Sequence, residues 1–95
     1  MPEGFVYMMT NKPYGTLYTG VTSHLSRRIY EHRNSLIDGF TKRYGLHMLV
    51  FYERHAEMSF AIQREKNIQA WKRDWKIKTI SEFNPEWKDL YDGLV

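Results

Sequence analysis

The sequence predicts an α+β fold: a small antiparallel sheet with helices segregated around it, in the order β-β-α-β-α-α. Three observations predict it. Two short runs of aromatic, β-branched and apolar residues, "FVYMMT" (5–10) and "TLYTGVT" (16–22), lie either side of a turn segment. A third run of the same kind, "HMLVFYE", occupies 47–53. The stretches between and after these runs change to a helical period.

Each element follows from its residues. "NKPYG" (11–15) puts proline and glycine in turn positions, so the first two strands form a hairpin. Thr22 or Ser23 is placed to cap the helix that follows. Leu25, Ile29, His32 and Leu36 recur on one face of that helix. Arg28 shares the stripe with Leu25 and His32, whereas Arg27 and Glu31 point elsewhere; Arg28 is therefore expected inward and Arg27 toward water. "DGFTKRYG" (38–45), with two glycines, reads as a loop. In the third strand Leu49 to Tyr52 are apolar on both faces, as in a covered strand. From Met58 a long helical pattern carries Met58, Ala61, Ile62, Glu65, Ile68 and Trp75 on or near one stripe. Pro85 disfavours helix at Asn84 and ends the pattern, and a short last segment carries Trp87 and Leu90.

Bulk properties narrow the function classes. A chain of 95 residues suits one domain, 1–95, with a modest core. The absence of cysteine excludes disulfides, cysteine zinc sites and thiol catalysis, and suits a reducing compartment. No apolar run is long enough to span a bilayer, and the first residues lack a basic segment followed by an apolar one. A soluble cytoplasmic protein without membrane association is expected. The net charge of +3 permits an anionic partner without demanding one. His24, His32, His47 and His55 show no dependable metal-ligand spacing.

Glu65 stands out on periodicity alone, because a carboxylate on an apolar stripe needs a partner or a metal. Arg28 and His32 pose the same question on the first helix. Tyr18 alternates with Gly20, which leaves space beside the phenol, and Tyr7 can lie across the hairpin. A phenol, a guanidinium, an imidazole and a carboxylate suit attack of water on a phosphodiester. The guanidinium binds phosphate and stabilises transition-state charge. The carboxylate can hold Mg²⁺. A phenol or imidazole can take a proton from water. Each residue also has a plain structural reading. The tyrosines can be strand aromatics. Arg28 can pair with Glu31 or Glu65, and Glu65 with Lys72 or Arg28. His32 can be a satisfied, partly buried side chain, and Trp71, Trp75 and Trp87 read as core.

The ordered set Tyr7, "YTG" at 18–20, Thr22, Leu25, Arg28, His32 and Glu65 resembles the GIY-YIG nuclease superfamily. "REKNIQAWKR" (64–73) and "NPEW" (84–87) resemble its small UvrC-like bacterial members of the UPF0213 type, and the likeness covers nearly the whole chain. The resemblance implies a three-stranded antiparallel sheet flanked by helices and a metal-dependent endonuclease acting on nucleic acid, DNA above all. By matching positions it implies Tyr18 as general base with Tyr7 in its network, and Arg28 on the scissile phosphate. His32 would hydrogen-bond or relay protons, and Glu65 would be the sole protein ligand of Mg²⁺ or Mn²⁺. Asn84 matches the family's late asparagine. The first signature triplet departs from the pattern, reading "FVY" and keeping only its tyrosine; Thr19 is the middle residue of the second. Val21 stands where some repair members carry a lysine that assists the tyrosine.

Lys42, Arg43, Lys66, Lys72, Arg73 and Lys76 are the candidate surface for the nucleic-acid backbone, with Asn84 beside them. No appended DNA-binding domain is expected, so specificity falls to this domain, an oligomer or a partner; a monomer or weak homo-oligomer is expected. The alternative is a non-catalytic nucleic-acid-binding module on the same fold.

Overall fold

A computed structural model describes residues 2–94. Strands β1 (Gly4–Thr10), β2 (Leu17–Thr22) and β3 (Met48–His55) form an antiparallel sheet of order β2-β1-β3. The helices are α1 (Leu25–Arg33), α2 (Phe40–Tyr44), α3 (Met58–Ala70) and α4 (Arg73–Phe83), and a 3₁₀ turn spans Tyr91–Leu94. No helix among the described residues is long and apolar enough to cross a membrane.

β1 is central because it can be covered on both faces, and Val6 through Thr10 are all buried. Alternation along it sorts two cores. Val6 and Met8 pack with Val50, Ala61, Ile68, Ile80 and Trp87, under α3 and α4. Tyr7 and Met9 pack with Leu25, Ile29, Leu46 and Leu49, under α1. Each fully buried apolar side chain of this kind stabilises by roughly 1.5–3 kcal/mol.

Several expectations need correction. The segment 38–45 is not all loop, because α2 forms between Gly39 at φ 120° and Gly45 in the left-handed region at φ 66°. The first helix starts without a side-chain cap; instead Thr22 Oγ1 accepts from the His24 N–H at 3.1 Å and holds the preceding turn. It ends at Arg33, short of Leu36, which is 65% exposed rather than part of the apolar stripe. The long second helix is two. Trp71 and Lys72 are extended (ψ 152° at both), although neither glycine nor proline is present. Tertiary contacts hold the break: the Arg64 guanidinium lies 5.1 Å over the Trp71 ring, and Arg73 donates to the carbonyls of Tyr14 and Gly15 at 2.7 and 2.8 Å. Trp75, beyond the break, is 64% exposed; Ile62, within α3 but off the face buried at Ala61 and Ile68, is 39% exposed; Trp87 is core at 2%. The segment that carries Trp87 and Leu90 is irregular, and the 3₁₀ turn Tyr91–Leu94 follows it in place of a last α-helix.

The register explains Asn84. Met8 faces Phe51 and Met9 faces Leu49, so Val50 is an extra residue, a β-bulge. Asn84 Nδ2 donates to the Val50 carbonyl at 3.1 Å and to the Lys88 carbonyl at 2.8 Å, and Asn84 Oδ1 accepts from the Lys88 N–H at 3.1 Å. Nearby, the Leu90 N–H bonds the Leu49 carbonyl at 2.8 Å and Asp89 Oδ1 accepts from the Leu49 N–H at 3.2 Å, so the tail covers the edge of β3. Asn84 is 5% exposed with its amide committed to backbone, so its place is this joint rather than a nucleic-acid-contacting surface.

Asn84→Ala leaves buried backbone groups without partners and should cost about 1–3 kcal/mol or more in urea unfolding. An unchanged unfolding midpoint would remove Asn84 as the joint between the bulge and the tail.

Candidate active site

The hairpin register sets Tyr7 opposite Gly20 and Met9 opposite Tyr18. Gly20 is required by close approach. A Cβ there would lie 2.5 Å from Tyr7 Oη and 2.9 Å from Tyr18 Cε2, closer than real side chains come. The Tyr7 side chain therefore crosses the glycine, with its ring 6.2 Å from that of Tyr18. Helix α1 brings His32 above both, with ring centroids 5.6 Å from Tyr7 and 5.7 Å from Tyr18.

Tyr7 Oη and His32 Nε2 are 2.8 Å apart, and His32 Nδ1 lies 2.9 Å from Thr41 Oγ1 on α2. With the ring proton on Nδ1, Tyr7 donates to Nε2 and Nδ1 donates to Thr41; the other tautomer reverses both roles. Tyr7 is fully buried and His32 and Thr41 are each 3% exposed. Burial is the main cause that raises the Tyr7 hydroxyl well above the ordinary phenol range, and the neighbouring Tyr18 adds to it. Burial, then the Arg28 charge, pushes the His32 imidazolium down to about 4, with Glu31 opposing. At neutral pH this is a chain of uncharged groups.

Arg28, through its charge, favours ionisation of the Tyr7 hydroxyl against the larger effect of burial. Its guanidinium is also 3.5 Å from Glu31 Oε1, the structural pairing considered for it. The Arg27 side chain is 76% exposed and that of Arg28 40%, so the helix phase separates them as expected, although both touch Glu31. Exposed pairs of this kind contribute about 0–1 kcal/mol, little enough for a phosphate to displace. Arg28 lines a small cleft with Thr22, Ser23, His24, Arg27 and Glu31.

Tyr18 is half-buried and lines a second cleft, about 260 Å³, with Leu17, Thr19, Phe40, Gln69 and Lys76. Glu65 is not on the buried stripe of α3, which is Ala61 and Ile68; it is half-exposed at the helix flank. Gln69 donates from Nε2 to Glu65 Oε2 at 2.7 Å and to the Thr19 carbonyl on edge strand β2 at 3.1 Å. The carboxylate is thereby tied to the rim beside Tyr18; its partner is neither Lys72 nor Arg28. Among the described residues, no three His, Asp or Glu side chains converge in a way that would hold a metal ion. A single hard-oxygen carboxylate, half-open to solvent, suits Mg²⁺ or Mn²⁺ bound largely through water and phosphate oxygens.

The basic residues are divided. Lys76 is in the Tyr18 cleft, and Lys72 lines a separate cleft with Trp71 and Trp75. Lys42, Arg43 and Lys66 are exposed, with Lys42 paired to Asp38 at 3.1 Å. Arg73 is taken up by the hairpin carbonyls. Sequence reasoning missed Thr41, Gln69 and Phe40. A threonine and a phenylalanine in an apparent loop carry no signal, whereas Gln69 lies one helical turn past Glu65, a spacing at which side chains meet.

The lowered His32 pKa makes a stability prediction. The unfolded chain binds this proton from about 6.5 downward and the folded chain only near 4, so stability is full above that window and falls with pH through it. The loss is on the order of 3 kcal/mol for so buried a group. In urea unfolding over a pH series, the advantage of wild type over His32→Gln should shrink by this amount on acidification. Parallel pH profiles for the two proteins would contradict it.

A family model described as the GIY-YIG catalytic domain matches residues 3–89. A UPF0213 protein of Staphylococcus saprophyticus is 34% identical over 82 residues, which are 86% of this chain and 99% of the relative. A UPF0213 protein of Desulfotalea psychrophila is 39% identical over 69 residues, 72% of this chain and 62% of the relative. The solution NMR structure of a UPF0213 protein from Bacillus halodurans covers 92% of each chain with a TM-score of 0.57 at 23% identity, a likeness of fold. With the family match running from β1 past the Asn84 joint and relatives aligned over most of its length, this chain belongs to the GIY-YIG catalytic-domain family, among its UPF0213 proteins.

Proposed function

We propose that this protein is a metal-dependent endonuclease that hydrolyses phosphodiester bonds in nucleic acid, most specifically DNA. The observation that carries the reading is the convergence of Tyr7, Tyr18 and His32 about the bare backbone of Gly20, with Arg28 one helical turn before His32 on the same face of α1. A fold alone needs no such polar cluster beside its edge strand.

The environments divide the roles. Tyr7 has its hydroxyl buried and bonded to His32, with its ionisation disfavoured. His32 has both ring nitrogens engaged, so it positions Tyr7 rather than meeting substrate. Tyr18, which opens onto a cleft, would act as its phenolate, taking the proton of the attacking water at its Oη and becoming the neutral phenol. Arg28 binds the scissile phosphate and stabilises the charge that builds on its oxygens. Glu65, oriented by Gln69, would hold Mg²⁺ or Mn²⁺. The bound ion supplies Lewis-acid stabilisation of the phosphate and of the leaving oxygen. Lys42, Arg43, Lys66, Lys72 and Lys76 supply positive charge along the approach, and Arg73 adds charge while bracing the hairpin.

Labelled single-stranded, nicked, branched and duplex DNA, and RNA, incubated with Mg²⁺ or Mn²⁺, test the reading. Arg28→Ala should cut on the order of 10²–10³ more slowly. Tyr18→Phe should lose roughly 10²–10⁴ while binding weakens far less. Folded Glu65→Gln should lose metal-dependent cutting, and Arg27→Ala should cut at nearly the wild-type rate. Normal cleavage by Tyr18→Phe would make that phenol structural. Binding without cleavage of any substrate by wild type would favour the binding-module alternative.

A further inference from the structure

The outer face of α2 has no evident use in the fold. Its inner residue, Thr41, is buried against His32, but Phe40 is 44% exposed and Tyr44 51%. The two rings meet at 4.7 Å between centroids, tilted by 47°. Phe40 in turn lies nearly parallel to Tyr18, at 6.3 Å and 23°. Tyr44, Phe40 and Tyr18 thus form one row of rings that begins in solvent and ends at the phenol assigned to the chemistry. Phe40 is also a wall of the cleft that holds Tyr18, Gln69 and Lys76.

Large aromatic rings left in water forgo the burial that stabilises the rest of the molecule. The surrounding charge identifies what would cover these. Arg43 is exposed on the same short helix, where Lys42 is already paired with Asp38, and Lys76 stands in the adjoining cleft. An aromatic face rimmed by cations complements a nucleobase with its phosphate; an apolar helix or peptide would leave the cations unmatched. We propose that Phe40, extended by Tyr44, is a stacking platform for an unpaired base next to the scissile phosphate. The faces of a paired base inside a duplex are covered by its neighbours, so a base can lie on Phe40 only when it is out of the helical stack. The strand presented to Tyr18 is therefore one that is unpaired at the cut. This inference rests on the nuclease reading of the same cleft.

The test measures binding without cutting, in EDTA, with a short oligonucleotide carrying a fluorescent adenine analogue. Wild type should bind the single strand and quench the analogue. Phe40→Ala should weaken single-strand binding roughly 5- to 150-fold and restore the fluorescence. Phe40→Trp should keep both, and Tyr44→Ala, which leaves the Tyr18 contact intact, should lose part of the quench. Affinity for the blunt duplex of the same sequence should be unchanged by Phe40→Ala. The proposal is overturned if Phe40→Ala binds and quenches like wild type, if it loses single strand and duplex affinity equally, or if wild type binds no single strand. The two readings fail separately. A Phe40-dependent quench in a protein that never cuts with Mg²⁺ leaves the platform standing without the nuclease. A protein that cuts while Phe40→Ala quenches normally loses only the platform.

Discussion

The hydroxyl of Tyr7 lies on the fully buried central strand, and it must find a partner without help from solvent. A buried hydroxyl left unpaired costs about 1–3 kcal/mol. His32 supplies the partner, and Thr41 supplies one for His32. This single requirement fixes much else. It demands glycine at position 20, because any Cβ would occupy the space that Tyr7 crosses. It sets the rotation of α1, since the turn that points His32 inward also leaves Arg28 partly covered, with its charge felt at the Tyr7 hydroxyl, and Arg27 outside. It holds α2 against α1, although a five-residue helix has little stability of its own. The same placement carries Phe40 to Tyr18.

The other end of the sheet is governed by a second constraint. The bulge at Val50 takes a carbonyl out of the regular ladder, and Asn84 restores its bond while tying down the tail through Lys88. Tail and bulge stabilise one another, and the tail covers the edge of β3 at Leu49. Edge strand β2 is treated differently. Gln69 caps its Thr19 carbonyl and, from the same amide, holds Glu65. The candidate chemistry lies along this edge, beside Tyr18.

Much of this was legible in the sequence. Strand alternation put Tyr18 and Gly20 on one face, and helical spacing put Arg28 with His32. Pro85 marked the end of α4. The failures have local physical causes. Leu36 follows the helical period but lies beyond Asn34, whose side chain bonds the Tyr30 carbonyl at 2.9 Å near the helix end. The break at Trp71 and Lys72 carries no glycine or proline, so only tertiary contacts reveal it. Glu65 follows the period of Ala61 and Ile68 but lies at the flank of that face, beside edge strand β2, where the sheet ends and leaves it half-open. Thr41 and Phe40 were silent because α2 depends on flanking glycines and on His32 rather than on its own periodicity.

The account depends most on the Tyr7–His32 hydrogen bond being a coupled unit, and a double-mutant cycle measures that directly. Tyr7→Phe, His32→Leu and the double variant would be compared with wild type by urea unfolding at neutral pH. Each single change leaves a buried polar group unpaired, whereas the double change removes both. The double variant should therefore be more stable than the sum of the single losses implies, by roughly 0.5–3 kcal/mol. Strictly additive losses would mean that the two side chains act independently, and the site would have to be organised by something other than this bond.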